Sequence, residues 1–174
     1  RSIMYCLNRS YSIPSYCIGL HDKICDQRYL SPFYFKGFNG NRIQFLFYLI
    51  KNSKSWNRVI VGHINLAPAI YLMKILNPSL EILVIAHGIE VWDKQKKISK
   101  WLLNKAKKII SVSEYTKQQL NSNSGISKDK IDVVHNSLDP FFTIPINLEK
   151  PAYLQKRHGV LLNDKVVFTL TRLN

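Results

Sequence analysis

Short apolar runs in this chain end, four times over, in side chains able to bind a ligand or move a proton. His63 and Asn65 follow the first run, His87, Gly88 and Glu90 the second, Ser111, Ser113 and Glu114 the third, and His135, Asn136, Ser137 and Asp139 the fourth. In His87-Gly88-Ile89-Glu90 the glycine lets backbone approach a ligand closely, and the imidazole can donate to a hydroxyl or a phosphate. The bland use of the same histidine is to satisfy a turn carbonyl. Ser113 is placed to cap a helix beginning at Glu114, where backbone N–H groups could hold an anion; simple capping needs no ligand. Asn136 and Asp139 suit a turn, because both can bond nearby backbone and asparagine tolerates the left-handed region.

The elements that must position these residues alternate. The pattern predicts a helix over Arg42–Lys51, a strand over Arg58–Ile64, a helix over Ala67–Leu76 closed by Asn77-Pro78, and a strand over Glu81–Ala86. It continues with a helix over Lys96–Lys107, a strand over Lys108–Val112, a helix over Glu114–Asn121 and a strand over Ile131–His135. The first forty residues, punctuated by Pro14, Pro32, Gly19, Gly37 and Gly40, read as short strands and loops. Val59-Ile60-Val61 and Ile82-Leu83-Val84-Ile85 are apolar at every position, as strands of a parallel sheet covered on both faces would be. The expected fold is therefore α/β, a doubly wound Rossmann-like parallel sheet. In such sheets ligands bind beyond the carboxyl ends of the strands, which is where the polar clusters fall.

Composition narrows the class. The 174 residues carry 25 Lys plus Arg against 11 Asp plus Glu, a formal charge of +14, with 46% hydrophobic residues. That is a folding chain of about one domain, not a disordered one. The strongest apolar run, Phe45–Ile50, is too short to span a bilayer. Cys6, Cys17 and Cys25 form no CxxC pair, so neither a disulfide framework nor a zinc site is expected, and a reducing, cytoplasmic compartment fits. No secretory leader is recognisable after Arg1. Walker A, GxGxxG and GxSxG loops are missing, as are zinc-finger and KH signatures, so nucleic acid is a disfavoured partner supported by charge alone. Lys94–Lys108 contains seven lysines and no acid, and a helical projection gathers Lys96, Lys97, Lys100, Lys107 and Lys108 on one side. Such a face either touches an anionic membrane or simply keeps the protein soluble.

Taken in order, these segments resemble the retaining glycosyltransferases of family 4, whose GT-B fold sets two Rossmann-like domains across a cleft. Val61-Gly62-His63-Ile64-Asn65-Leu66-Ala67 resembles the family's strand ending in a histidine before a helix, and Val84-Ile85-Ala86-His87-Gly88-Ile89-Glu90 its "T-x-HG-x-E" segment. Ile110–Lys117 is similar to its "VS-E-T" strand-to-helix junction, and Val133–Phe142 stands where "IPNGVD…F" is usual. Phe168–Leu173 resembles the "VGRL" strand that opens the donor domain. Ser137 and Thr171 stand where the family has glycines, and the family's first glycine-rich loop, donor-domain lysine and paired glutamates find no counterpart in these residues.

The resemblance implies the N-terminal half of a GT-B enzyme, incomplete and inactive by itself. The expected division is an acceptor domain at 1–144 lacking its first strand, a linker at 145–163 containing a helix Ala152–His158, and the first donor-domain strand at 164–174. The resemblance further implies that His87 lines the active cleft and that Arg172 holds the donor diphosphate. His63, Gly88, Glu90, Ser113 and Asn136 would line the acceptor side. The implied substrates are a nucleotide-sugar donor and a glycan or lipid-linked acceptor, in cell-surface polysaccharide or glycoconjugate synthesis. No cofactor or metal is expected, because no DxD-like acidic pair is present and a cationic clamp serves instead. The expected location is cytoplasmic, peripheral on the inner membrane face. The rival reading is a non-catalytic basic α/β module that binds anionic partners such as nucleic acid.

Overall fold

The computed structural model describes residues 2–9, 15–143, 152–161 and 163–166. Four parallel strands, β3 (Arg58–Val61), β4 (Glu81–Ala86), β5 (Lys108–Ser111) and β6 (Ile131–Val133), form one sheet in sequential order. Ahead of them, β1 (Cys17–Gly19) and β2 (Phe35–Gly37) form a separate parallel pair. The helices are α1 (Ser2–Arg9), α2 (Arg42–Asn52), α3 (Ala67–Leu76), α4 (Lys97–Lys105), α5 (Glu114–Ser124) and α6 (Ala152–His158). The expected α/β class with a parallel, Rossmann-like sheet is what the chain adopts. Contacts divide it into a unit ending at Leu138 and a second beginning at Asp139.

Register shows where the core sits. Val61 lies beside Val84, Val84 beside Ile109, and Ile109 beside Ile131, so these side chains share one face and all are buried. Against them pack Ile70 and Met73 of α3, Leu102 and Leu103 of α4, and Leu120 of α5. Sequential parallel strands joined by right-handed crossovers put those helices on the same face. Each fully buried Leu or Met contributes roughly 1.5–3 kcal/mol relative to leaving it in water. The opposite face is covered only in part among the described residues: Ile60 is 39% exposed, Leu83 and Ile110 are half-buried, and Ile85 is buried but outside the main cluster. Apolar residues on both faces of a strand thus reflect a dry core on one side and a partly wet apolar stripe on the other.

Local signals account for the boundaries. Asn41 caps α2 by accepting from the Gln44 N–H. Asn77 ends α3, and its buried amide donates to the carbonyls of Ser53 and Trp56, tying α3 to the turn before β3. Gly125, at φ 70°, provides the left-handed stop of α5. Several expectations need correction. β3 stops at Val61, because His63 turns to cap a short 3₁₀ segment, Ile64–Leu66. β5 and β6 likewise stop at Ser111 and Val133. Residues Ser2–Arg9 are helical where strands and loops were expected.

The largest correction concerns α4, which ends at Lys105. Lys107 and Lys108 therefore do not extend its cationic face. They lead into β5, where Lys107 pairs with Glu81 and Lys108 with Asp132 at 3.0 Å. The helix Ala152–His158 is present as expected. Of the expected final strand, positions 167–174, including Arg172, lie outside the described residues, as does most of the expected junction at 144–151.

Candidate active site at the strand tips

Parallel strands bring their carboxyl ends together, and hydrogen bonds tie the β3 tip to His87 and the loop after β4 to α5. The β4 tip is held most tightly. Gly88 takes φ 144°, ψ −109°, a conformation that L side chains rarely adopt, which explains a glycine directly after His87. The Glu90 carboxylate accepts from the His87 backbone N–H at 2.6 Å, closing the loop on itself. Glu90 is thus spent on fixing the turn that carries the histidine.

The His87 side chain is exposed, and its Nε2 lies 3.0 Å from the carbonyl oxygen of Gly62 at the β3 tip. A carbonyl only accepts, so Nε2 carries the proton. Neutral His87 is then left with a lone pair on Nδ1, for which no described residue supplies a donor. The bland reading of this histidine is seen in the structure, one nitrogen satisfying a loop carbonyl, while the other nitrogen is left as an acceptor and not as the donor expected from the sequence. His63 differs. Its Nδ1 accepts from the Asn65 N–H at 3.1 Å, so that nitrogen serves as a cap while the ring remains exposed.

The β5 tip is organised around α5. Ser113 caps the helix, its Oγ accepting from the Thr116 N–H at 3.1 Å, as expected from the sequence. Ser113 Oγ and Thr116 Oγ1 also lie 3.1 Å apart, and Ser111 Oγ donates to the Ser113 carbonyl. Asn136, by contrast, is exposed beyond β6, and no bond ties it to the other tips among the described residues. Asp139 turns the chain locally by accepting from the Phe141 N–H.

Two partners escaped the sequence reading. Trp92 bridges β4 and α5: its indole N–H donates to the buried Thr116 hydroxyl at 3.2 Å, and its ring meets Tyr115 edge-on at 5.1 Å. The same indole sits 3.4 Å from where a Cβ on Gly88 would lie. A tryptophan six residues past the end of β4, whose N–H must find an acceptor, was the available signal. Gly62, the carbonyl under His87, carried none.

The arrangement can accept a hydrogen bond from a ligand hydroxyl at His87 Nδ1, with the imidazole position set from three sides. Gly62 fixes the ring, Glu90 fixes the backbone, and the Trp92–Thr116 bond fixes the following loop. A hollow lined by Cys17, Asp22, Cys25 and Phe35 lies beside β1 and β2, apart from these tips, and none of the expected site residues lines it. The sequence pattern of Glycosyltransferase Family 4 matches residues 11–141, well over half of the chain. No curated protein matches the chain.

Proposed function

Because the chain belongs to glycosyltransferase family 4, we propose that its strand tips form the acceptor side of a retaining hexosyl transfer from a nucleotide-sugar donor to a glycan or lipid-linked acceptor. The observation that carries this reading is His87, exposed at the tip of β4, fixed through Nε2 and carrying a free acceptor at Nδ1. A fixed acceptor of this kind holds a sugar hydroxyl in a single orientation without paying to order a mobile side chain. His63, Gly88, Ser113 and Asn136 would border the same acceptor side.

Cleaving the sugar–phosphate bond places negative charge on the leaving diphosphate. A guanidinium aimed at it stabilises the transition state more than the ground state, and that role is assigned to Arg172. The clamp removes the need for a divalent cation, so transfer should survive chelation. The reaction would take place at the cytoplasmic face, in the building of surface polysaccharide or glycoconjugate.

The test is the stereochemistry of a single turnover in the full-length enzyme, supplied with a nucleotide-sugar panel and excess chelator. Product whose anomeric proton shows the donor's configuration supports the reading. Inverted product, or transfer abolished by chelation and restored by a divalent ion, overturns it.

A further inference from the structure

The loop after β4 has an imidazole on one side and two aromatic rings on the other. His87 leans toward β3, with Nε2 on the Gly62 carbonyl. On the β5 side the Trp92 indole lies against Gly88, and beyond the indole stands Tyr115, in the first turn of α5. Gly88, next to His87 in the chain, raises no side chain between them.

Tyr115 is 54% exposed. A solitary exposed ring calls for no explanation, but this one is braced from behind. Trp92 is pinned to α5 by its N–H on the buried Thr116 hydroxyl and by its carbonyl, which accepts from the Asn123 amide. Tyr115 meets that pinned indole at 5.1 Å with the ring planes at 89°. In a perpendicular pair the edge of one ring meets the face of the other. Whichever ring supplies the edge, Trp92 covers at most one face of Tyr115, and the other is left open.

We propose that Tyr115 is a stacking platform for a hexopyranose ring of the acceptor, one hydroxyl of which is taken by His87 Nδ1; this rests on the acceptor-side reading above. A hexopyranose carries hydroxyls around its rim and C–H groups on its faces. The slightly positive C–H face suits the negative face of an aromatic ring, while the rim needs hydrogen-bonding partners such as a fixed imidazole nitrogen. A ring already held by Trp92 gives up little freedom when a sugar settles on it. Charge favours a neutral sugar over the nucleotide as occupant, because the exposed Glu114 carboxylate beside Tyr115 repels a diphosphate.

The test is saturation-transfer NMR on the full-length enzyme with methyl hexopyranosides of gluco, galacto and manno configuration, and with uridine. At least one glycoside should bind the parent, with the C–H protons of one sugar face saturated most strongly, and uridine should bind more weakly. Tyr115→Phe, which keeps the ring, should hold Kd within about twofold of the parent, whereas Tyr115→Ser and Tyr115→Leu should each weaken binding about fivefold or more. His87→Ala should weaken the same glycoside. Circular dichroism checks folding, and should the serine variant prove unfolded, the leucine variant makes the same comparison. Absence of glycoside binding to the parent overturns the proposal. So does undiminished binding by Tyr115→Leu, a loss in Tyr115→Phe as large as that in Tyr115→Ser, tighter binding of uridine than of any glycoside, or binding indifferent to His87→Ala. The stereochemical test of transfer reads separately. Retaining transfer with an unchanged acceptor KM in Tyr115→Ser overturns the platform alone, and ring-dependent glycoside binding with inverted transfer upholds the platform and overturns only the retaining reaction.

Discussion

The two ends of the four-stranded sheet use polarity in opposite ways. At the amino end the groups are charged and consume one another: Glu81 takes Arg58 at 2.6 Å and also Lys107, Lys108 takes Asp132, and the Lys130 Nζ donates to the carbonyl of Asn104. At the carboxyl end the bonded groups are mostly neutral, and they hold loops in place while leaving an imidazole nitrogen over. Strength of charge is therefore a poor guide to the end at which the proposed site lies. Ion pairs between exposed side chains contribute little to stability, because water and salt screen them. A hydrogen-bonded loop with one acceptor unspent leaves that acceptor available to a group outside the chain.

The contrast can be broken most severely at Gly88. Gly88→Ala forces an L side chain into φ 144° and should cost about 1–3 kcal/mol in urea unfolding. An unchanged midpoint would show that the β4 loop is not held as described. Next comes Ser113→Ala, which removes the acceptor for the Thr116 N–H and should lower stability by about 1 kcal/mol in the same measurement.

At the other end, Glu81→Gln should have the smallest effect. The hydrogen bond from Lys107, then that from Arg58, holds the Glu81 carboxyl below its ordinary range. A carboxyl depressed in the folded state stabilises above its unfolded value and ceases to do so as pH falls through the folded one. Any small difference between parent and variant should thus be present at neutral pH, shrink in salt and vanish in acid. A large difference persisting in acid would assign Glu81 a packing role and blur the contrast.

Much of this was legible beforehand because the relevant signals are local. The Ser113 cap, the Asn77-Pro78 stop of α3 and the apolar strands before His63 and His87 each depend on a few consecutive residues, and each predicted element is found at those places. What escaped depends on register between strands. Only once β4 lies beside β5 is Glu81 brought to Lys107, and only once β3 lies beside β4 does Gly62 come under His87. Lys107 and Lys108 illustrate the cost of a purely helical projection, which continues a face past the point where the chain has left the helix. Trp92 illustrates another: its partner Thr116 lies 24 positions along, and no spacing rule connects them. Arg172 lies outside the described residues, so its role rests on the resemblance.

The most direct measurement compares kcat/KM for sugar transfer between His87→Ala and Glu81→Gln in the same full-length enzyme, with both variants shown to be folded. The account predicts a loss of about a hundredfold or more for His87→Ala and a rate within about twofold of the parent for Glu81→Gln. Equal rates for the two variants, or a parent-like His87→Ala, would contradict it.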